Sequence, residues 1–314
     1  MKTSYLDLIS IVAPVFIMVA VGMVLRRVRW INEEADASLL RLGVYVLYPA
    51  LIADTIIGNA ALAHLSNILL PAALGAGTVL LGFLAGCAGA AALRLPWPHP
   101  ARTFAFTTGI FNYGFIPIPL ISALFDRATL GVLFTFTLGV ELTLWSAGIA
   151  LLSGRRGHGG WRAALNPPII AIVVSLALNR IGFDPLPFGR TALQWLGRCA
   201  FPMQLILTGT ALADLLRRQS PTVSARAVIA ANLLRLAVLP LAMLALARLL
   251  GGKPELQRVE VVQAAMPCAM LPVMLAKHYQ ADSDLAAWIV ATTTILGLFT
   301  IPLWLRMGFW WVGV

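Results

Sequence analysis

Long apolar stretches separated by short polar clusters fill this chain from end to end. A helix crosses the hydrocarbon of a bilayer with about 20 predominantly apolar residues. Cutting the sequence at its polar clusters leaves ten such stretches, at 6–26, 37–58, 66–93, 102–125, 129–153, 164–181, 190–215, 222–249, 257–279 and 284–309. The connections are short, so the pattern predicts an all-α integral membrane protein of ten transmembrane helices without a soluble domain. The longest connection, Ser153-Gly-Arg-Arg-Gly-His-Gly-Gly-Trp-Arg162, is a glycine-rich linker at the midpoint. It divides the chain into 1–153 and 163–314, with 154–162 between them. The first apolar run, from Leu6 to Leu25, lacks the small-residue cleavage site of a signal peptide and is expected to be retained.

Composition agrees: 60% of the 314 residues are apolar and 11% are charged. A soluble domain of this length would carry about 80 charged residues. This chain has 23 Lys and Arg and 13 Asp and Glu, too few to cover a water-facing surface, and its apolarity excludes disorder. A net charge of +10 would point to nucleic acid in a soluble protein. In a membrane protein it is an orientation signal, because cytoplasmic connections are enriched in Lys and Arg. With the N-terminus outside, twelve basic residues fall on the cytoplasmic side (Arg26, Arg27, Arg29, Arg94, Arg102, Arg155, Arg156, Arg162, Arg217, Arg218, Arg226, Lys277). Eight fall opposite: Lys2, Arg127, Arg180, Arg190, Arg248, Lys253, Arg258 and Arg306. The expected location is the cell (inner) membrane with both termini on the non-cytoplasmic side. The bilayer is then the partner, not a nucleic acid.

The halves share a register. Pro14 and Arg26 on the first span recur as Pro168 and Arg180 on the sixth, and Leu42-Gly43 recurs as Leu196-Gly197, all at an offset of 154. Pro49 and Pro202 follow those Leu-Gly pairs, Pro117 matches Pro272 at 155, and Asp126 matches Asp282 at 156. Each half has five spans, an odd number, so the second is expected upside down relative to the first. Inverted repeats are an architecture of secondary transporters, with the cargo site at the repeat interface near the midplane.

Two spans carry helix breakers at their centres. The fourth reads Thr107-Thr-Gly-Ile-Phe-Asn-Tyr-Gly-Phe-Ile-Pro-Ile-Pro119 and the ninth Gln263-Ala-Ala-Met-Pro-Cys-Ala-Met-Leu-Pro272. Proline removes a backbone donor and clashes with the preceding turn, so both helices should unwind there. Unwound backbone at this depth is tolerated where it is buried in protein or lines a cavity. Half-helices starting near Pro117 and Pro267 would aim positive dipole ends inward, a seat for a carboxylate.

The stretch Phe111-Asn-Tyr-Gly-Phe-Ile-Pro-Ile-Pro-Leu120 resembles the fourth-span signature of the auxin efflux carrier family. Asn166-Pro-Pro-Ile-Ile-Ala171, Ala264-Ala-Met-Pro267 and Leu298-Phe-Thr-Ile-Pro-Leu-Trp304 are similar to its mid-chain and C-terminal patterns, and the length suits a compact bacterial member. Pro117 departs from the family, where glycine is frequent, and so does Met270-Leu271-Pro272, where an asparagine is frequent. The resemblance implies a fold like that of sodium/bile-acid transporters: two inverted five-helix repeats with the fourth and ninth helices crossing. It also implies carrier transport of organic anions. Carried over by position, Asn112 and Pro117 with Pro267 and Cys268 would line the cargo site; Tyr113, Gly114, Gln263 and Pro272 belong to the same breaks.

Ionisable groups within spans are costly and usually functional. Glu141, central in the fifth span, is the candidate proton carrier, since burial penalises its charged form. Its alternative is a structural ion pair, with Arg235 on the eighth span as the partner. Asp54, in the outer part of the second span, faces a vestibule or caps the span. Gln204 either reaches a cavity or bonds between helices. Arg41 and Arg198 are expected to snorkel to the interface, and Gly82-Phe-Leu-Ala-Gly86 to mark close packing.

Enzyme signatures are absent: there is no GxxxxGK[ST] loop, no HExxH and no paired aspartate motif. The four histidines fall at predicted helix ends, Cys87 and Cys199 read as small packing residues, and no metal or cofactor is expected. These features predict an alternating-access carrier of a small organic anion coupled to H+ or Na+, with a homodimer among its possible assemblies. The rivals are a carrier of another small solute and a channel or sensor on the same fold.

Overall fold

The computed structural model describes residues 5–154, 165–217 and 223–313. The linker beyond Gly154 lies outside them, as do Lys2, Arg155, Arg156, His158, Arg162 and Arg218. The described chain is helical, without strands. Its helices are α1 (Tyr5–Arg27), α2 (Glu33–Ile56), α3 (Ser66–Ala92), α4 (His99–Gly109), α5 (Pro117–Leu124) and α6 (Arg127–Ser153). They continue as α7 (Pro167–Arg180), α8 (Pro187–Arg217), α9 (Ala225–Leu249), α10 (Pro254–Ala264), α11 (Leu271–His278) and α12 (Ser283–Val312).

Among the described residues, seven helices are long and apolar enough to cross a membrane: α1, α2, α3, α6, α8, α9 and α12. Helix α7 is apolar but has 14 residues. The expected spans 102–125 and 257–279 are each two helices, α4–α5 and α10–α11, with unwound chain between them. Among the described residues five α-helices begin at the side-chain caps that a polar N-cap residue provides, Ser224 capping α9 through the Ala227 N–H at 3.4 Å. Asn32, Asp126, Asn166 and Asp282 accept from the backbone N–H of Ala35, Thr129, Ile169 and Leu285 at 2.8–3.0 Å.

Three long helices widen locally into single π turns, at Gly43–Leu47, Leu144–Gly148 and Leu234–Val238. Two of these turns lie just ahead of Pro49 and Pro240. Proline cannot donate to the carbonyl four residues back, and its ring crowds that carbonyl, so a widened turn relieves the strain. The carbonyl four residues before Pro240 belongs to Leu236, and the Trp304 indole N–H donates to it at 2.7 Å.

Packing falls into two groups of helices joined by contacts of α1 and α8 with α12. Helix α8 runs along α1 and contacts α2, and α2 packs on α7. Helix α3 packs between α6 and α4, while α9, α10, α11 and α4 gather around α12. The expected close packing at Gly82 and Gly86 is present. A Cβ on either would stand 2.5 Å from the Gly109 carbonyl oxygen or 2.6 Å from that of Ala105, inside contact distance.

Arg26 is more than a loop charge. It is 7% exposed and ties together the end of α1, the start of α2 and the end of α8. Its guanidinium donates to Asp214 Oδ2 at 2.7 and 3.1 Å, to the Ile31 carbonyl at 2.8 Å, and to Asp36. Thr210 Oγ1 adds a 3.0 Å bond to Asp36. Arg41 and Arg198 are exposed, in keeping with snorkelling. Cys199 is exposed and Cys87 half-buried, so the packing role expected of them fails for Cys199.

Candidate functional site

The two unwound segments meet. Phe111 and Cys268 form an antiparallel bridge, with Asn112 N–H donating to the Pro267 carbonyl at 2.7 Å and Ala269 N–H to the Ile110 carbonyl at 3.0 Å. Each chain thereby supplies the partner that the other lost by leaving the helix, which is what makes unwound backbone affordable at hydrocarbon depth. Asn112 is 5% exposed, and its Oδ1 accepts from the Ile116 N–H at 3.3 Å, closing the turn that leads into α5. Cys268 N–H faces Thr293 Oγ1 on α12 at 3.4 Å.

Pro117 opens α5 as expected. Pro267 does not open the other half-helix. Its carbonyl is committed to Asn112, and α11 starts at Leu271 with Pro272 in its first turn, where the missing N–H costs no intrahelical bond. Gln263, wholly buried at the end of α10, donates from Nε2 to the Tyr113 carbonyl at 3.1 Å, and its Oε1 has no partner.

Tyr113 links this crossover to Glu141. Its hydroxyl donates to Glu141 Oε1 at 2.8 Å, while Glu141 Oε2 accepts from Trp145 Nε1 at 2.7 Å and from Asn166 Nδ2 at 3.0 Å. Three neutral donors therefore converge on one carboxyl group. The expected pairing of Glu141 with Arg235 does not form. Arg235, 1% exposed on the π turn of α9, donates from Nε to the Met266 carbonyl at 3.0 Å and stacks over the Phe111 ring at 5.1 Å. Its Nη2 lies 3.7 Å from Met243 Sδ. Depth along two helices does not say which of their faces meet, so the sequence leaves this pairing open.

Asp54 is not joined to this cluster by a hydrogen bond among the described residues. Its carbonyl, like that of Ile57, accepts from Arg127 near the end of α2. Sequence reasoning missed three groups. Trp145 stands at i+4 from Glu141, a readable spacing on a helix. Asn166 was recognised only as part of a motif, whereas it both caps α7 and holds Glu141. Glu260, 3% exposed on α10 with Oε2 unpartnered, stands one turn before Gln263, inside the expected span 257–279, where an ionisable residue is itself a readable signal.

The sequence profile of the membrane transport protein family matches residues 7–160 and 158–305. The chain belongs to this family, that of the auxin efflux carriers. It is a multi-pass membrane transporter and not an enzyme. An uncharacterized transporter of Methanothermobacter thermautotrophicus is 28% identical over 298 residues, 93% of this chain and 96% of that protein. An uncharacterized transporter of Methanocaldococcus jannaschii is 26% identical over 311 residues, 94% of this chain and 97% of that protein. Among the described residues of this transporter, no group of three or more His, Cys, Asp or Glu side chains is placed to hold a metal ion.

Proposed function

We propose that this transporter is an alternating-access carrier of a small organic anion, a carboxylate, built from ten spans in two inverted five-helix repeats. The observation that carries the reading is the antiparallel bridge of two broken helices at Asn112–Pro267. Helices α5 and α11 begin and end 154 residues apart and α4 and α10 155 apart, which supports the repeat. In this reading α1, α2, α7 and α8 are the scaffold, and the remaining helices form the bundle that moves against it. The N-terminal ends of α5 and α11 favour an anion between them.

Glu141 is the coupling site for a proton in this mechanism. Tyr113 rides on the crossover and Asn166 on the scaffold, so movement of the bundle changes the donors around the carboxyl group. Oε1 accepts from Tyr113 alone and Oε2 from two donors, so one lone pair on Oε1 is left for a proton. Sodium is the second reading for the coupling ion, favoured by the unpartnered oxygens of Glu260 and Gln263 on one face of α10. The protein sits in the cell (inner) membrane with both termini on the non-cytoplasmic side, and a homodimer is its proposed assembly.

Counterflow in proteoliposomes with a panel of mono- and dicarboxylates tests the carrier. Saturable exchange is the expected result, and non-saturable flux would indicate a channel. Asn112→Ala is expected to abolish exchange while leaving expression intact; normal exchange would refute the site. Glu141→Gln is expected to flatten the pH dependence of exchange at constant sodium. A pH profile identical to that of the parent protein rules out Glu141 as the proton site, and a rate that follows sodium instead selects the second reading.

A further inference from the structure

A cavity of about 250 Å³ opens at the end of the protein where α3, α6 and α10 begin, and none of the residues around it belongs to the crossover. Leu70, Pro71, Val132 and Leu256 form its apolar wall, while Lys253 and Glu255 bring it opposite charges. Its frame is fixed from two sides. Asn67 Nδ2 donates to the Ala61 carbonyl at 2.5 Å, and Thr135 Oγ1 on α6 donates to the Asn67 carbonyl at 3.2 Å. The volume falls below the roughly 300–1,000 Å³ of pockets that enclose a drug-sized molecule, so a smaller group fits it.

The two charges do not answer each other. Among the described residues neither Lys253 nor Glu255 belongs to an ion pair, although both line the same space. Glu255 Oε2 is closed off from solvent and has no hydrogen-bond partner, a costly state for a carboxylate oxygen. Opposite charges held apart in one cavity are complementary to a zwitterion.

The surroundings assign that zwitterion to a lipid. Lys253 follows the last turn of the spanning helix α9 and so lies at headgroup depth. Along α3 from the cavity, Leu70, Leu80 and Leu84 stand exposed on one face. A Cβ at Gly77, between them, would meet nothing within 4 Å, so that face carries a shallow apolar track away from the cavity.

We propose that the cavity is a headgroup site for phosphatidylethanolamine, with Lys253 on the phosphate and Glu255 on the ammonium. The lysine gives the phosphate a charge-assisted bond, and the N–H donors of the ammonium satisfy Glu255 Oε2. A choline headgroup has no N–H to donate, and a glycerol headgroup has no positive charge.

The thermal midpoint of the detergent-purified transporter, titrated with short-chain phospholipids of one chain length, tests the proposal. Phosphatidylethanolamine is expected to raise the midpoint at concentrations at least tenfold below those that phosphatidylcholine or phosphatidylglycerol requires. Glu255→Met is expected to erase that advantage and leave the three lipids alike. Lys253→Met is expected to weaken all three by a similar factor, since each carries a phosphate. An equal response of the parent protein to the three lipids, or the advantage retained in folded Glu255→Met, overturns the proposal. So does a matching shift from soluble phosphoethanolamine, which would make the site one for a free zwitterion. If Glu255→Met does not fold, unaltered lipid affinity in Lys253→Met, which changes an exposed side chain, overturns it instead.

Discussion

Among the described residues two arginines are buried, and their surroundings are opposite. Arg26 meets two carboxylates, Asp36 and Asp214, where the ends of α1 and α8 meet the start of α2. Arg235 lies at the crossover with a carbonyl, a thioether and an aromatic face, and no carboxylate pairs with it among the described residues. A carboxylate neutralises a guanidinium and fixes it in place. A carbonyl and a ring hold it in position but leave its charge acting on its surroundings. The contrast predicts that Arg26 serves as a joint and that Arg235 serves transport.

Replacing each arginine by methionine tests the contrast. Arg235→Met is expected to lower counterflow at least tenfold, the largest effect, while stability changes by no more than ~1 kcal/mol. An apolar residue of similar volume replaces a buried ion at little cost when no opposite charge is left behind. Unchanged exchange would reduce Arg235 to a packing group and remove the contrast. Arg26→Met reverses the pattern. It strands Asp36 and Asp214, whose side chains are 23% and 40% exposed, and stability should fall by about 2 kcal/mol, below the cost of stranding a fully buried pair. Exchange per folded molecule should persist. Adding Asp36→Asn and Asp214→Asn should recover most of the thermal midpoint, and failure to do so would show that Arg26 acts through its packing and not its charge.

The parts of this arrangement differ in how plainly the sequence states them. The two breaks are legible because Gly, Asn and Pro at hydrocarbon depth leave the backbone no continuous helix. That the breaks bond to each other is not legible, since the bond from Asn112 to Pro267 is backbone to backbone and leaves no mark on residue type. The start of the ninth span was placed at 257, whereas α10 begins at Pro254. Pro254-Glu-Leu-Gln-Arg258 reads as polar flank by hydropathy, while a proline at a first turn is a helix start by geometry. The partners of Glu141 were beyond reach for another reason. Tyr113 and Asn166 are 28 and 25 residues away, and only the fold brings them to one carboxyl group.

Asp126 supplies the ordinary case against which both arginines stand out, and the smallest expected effect. It caps α6 outside the membrane, accepting from the Thr129 N–H at 2.9 Å and from Thr129 Oγ1 at 2.8 Å. The backbone N–H of Thr129 foremost, with help from its hydroxyl and from Arg258, holds the Asp126 carboxyl below its usual range. A carboxylate favoured by folding stabilises the protein above its unfolded pKa of about 4, and that contribution fades as pH falls through the lower folded value. Asp126→Ala is therefore expected to cost about 1 kcal/mol at pH 7, the usual worth of an N-cap. The gap in thermal midpoint between Asp126→Ala and the parent protein should narrow below about pH 4. A gap that stays constant into acid would mean that the cap acts without its charge. Asp126 would then no longer serve as the charged surface reference for Arg26 and Arg235.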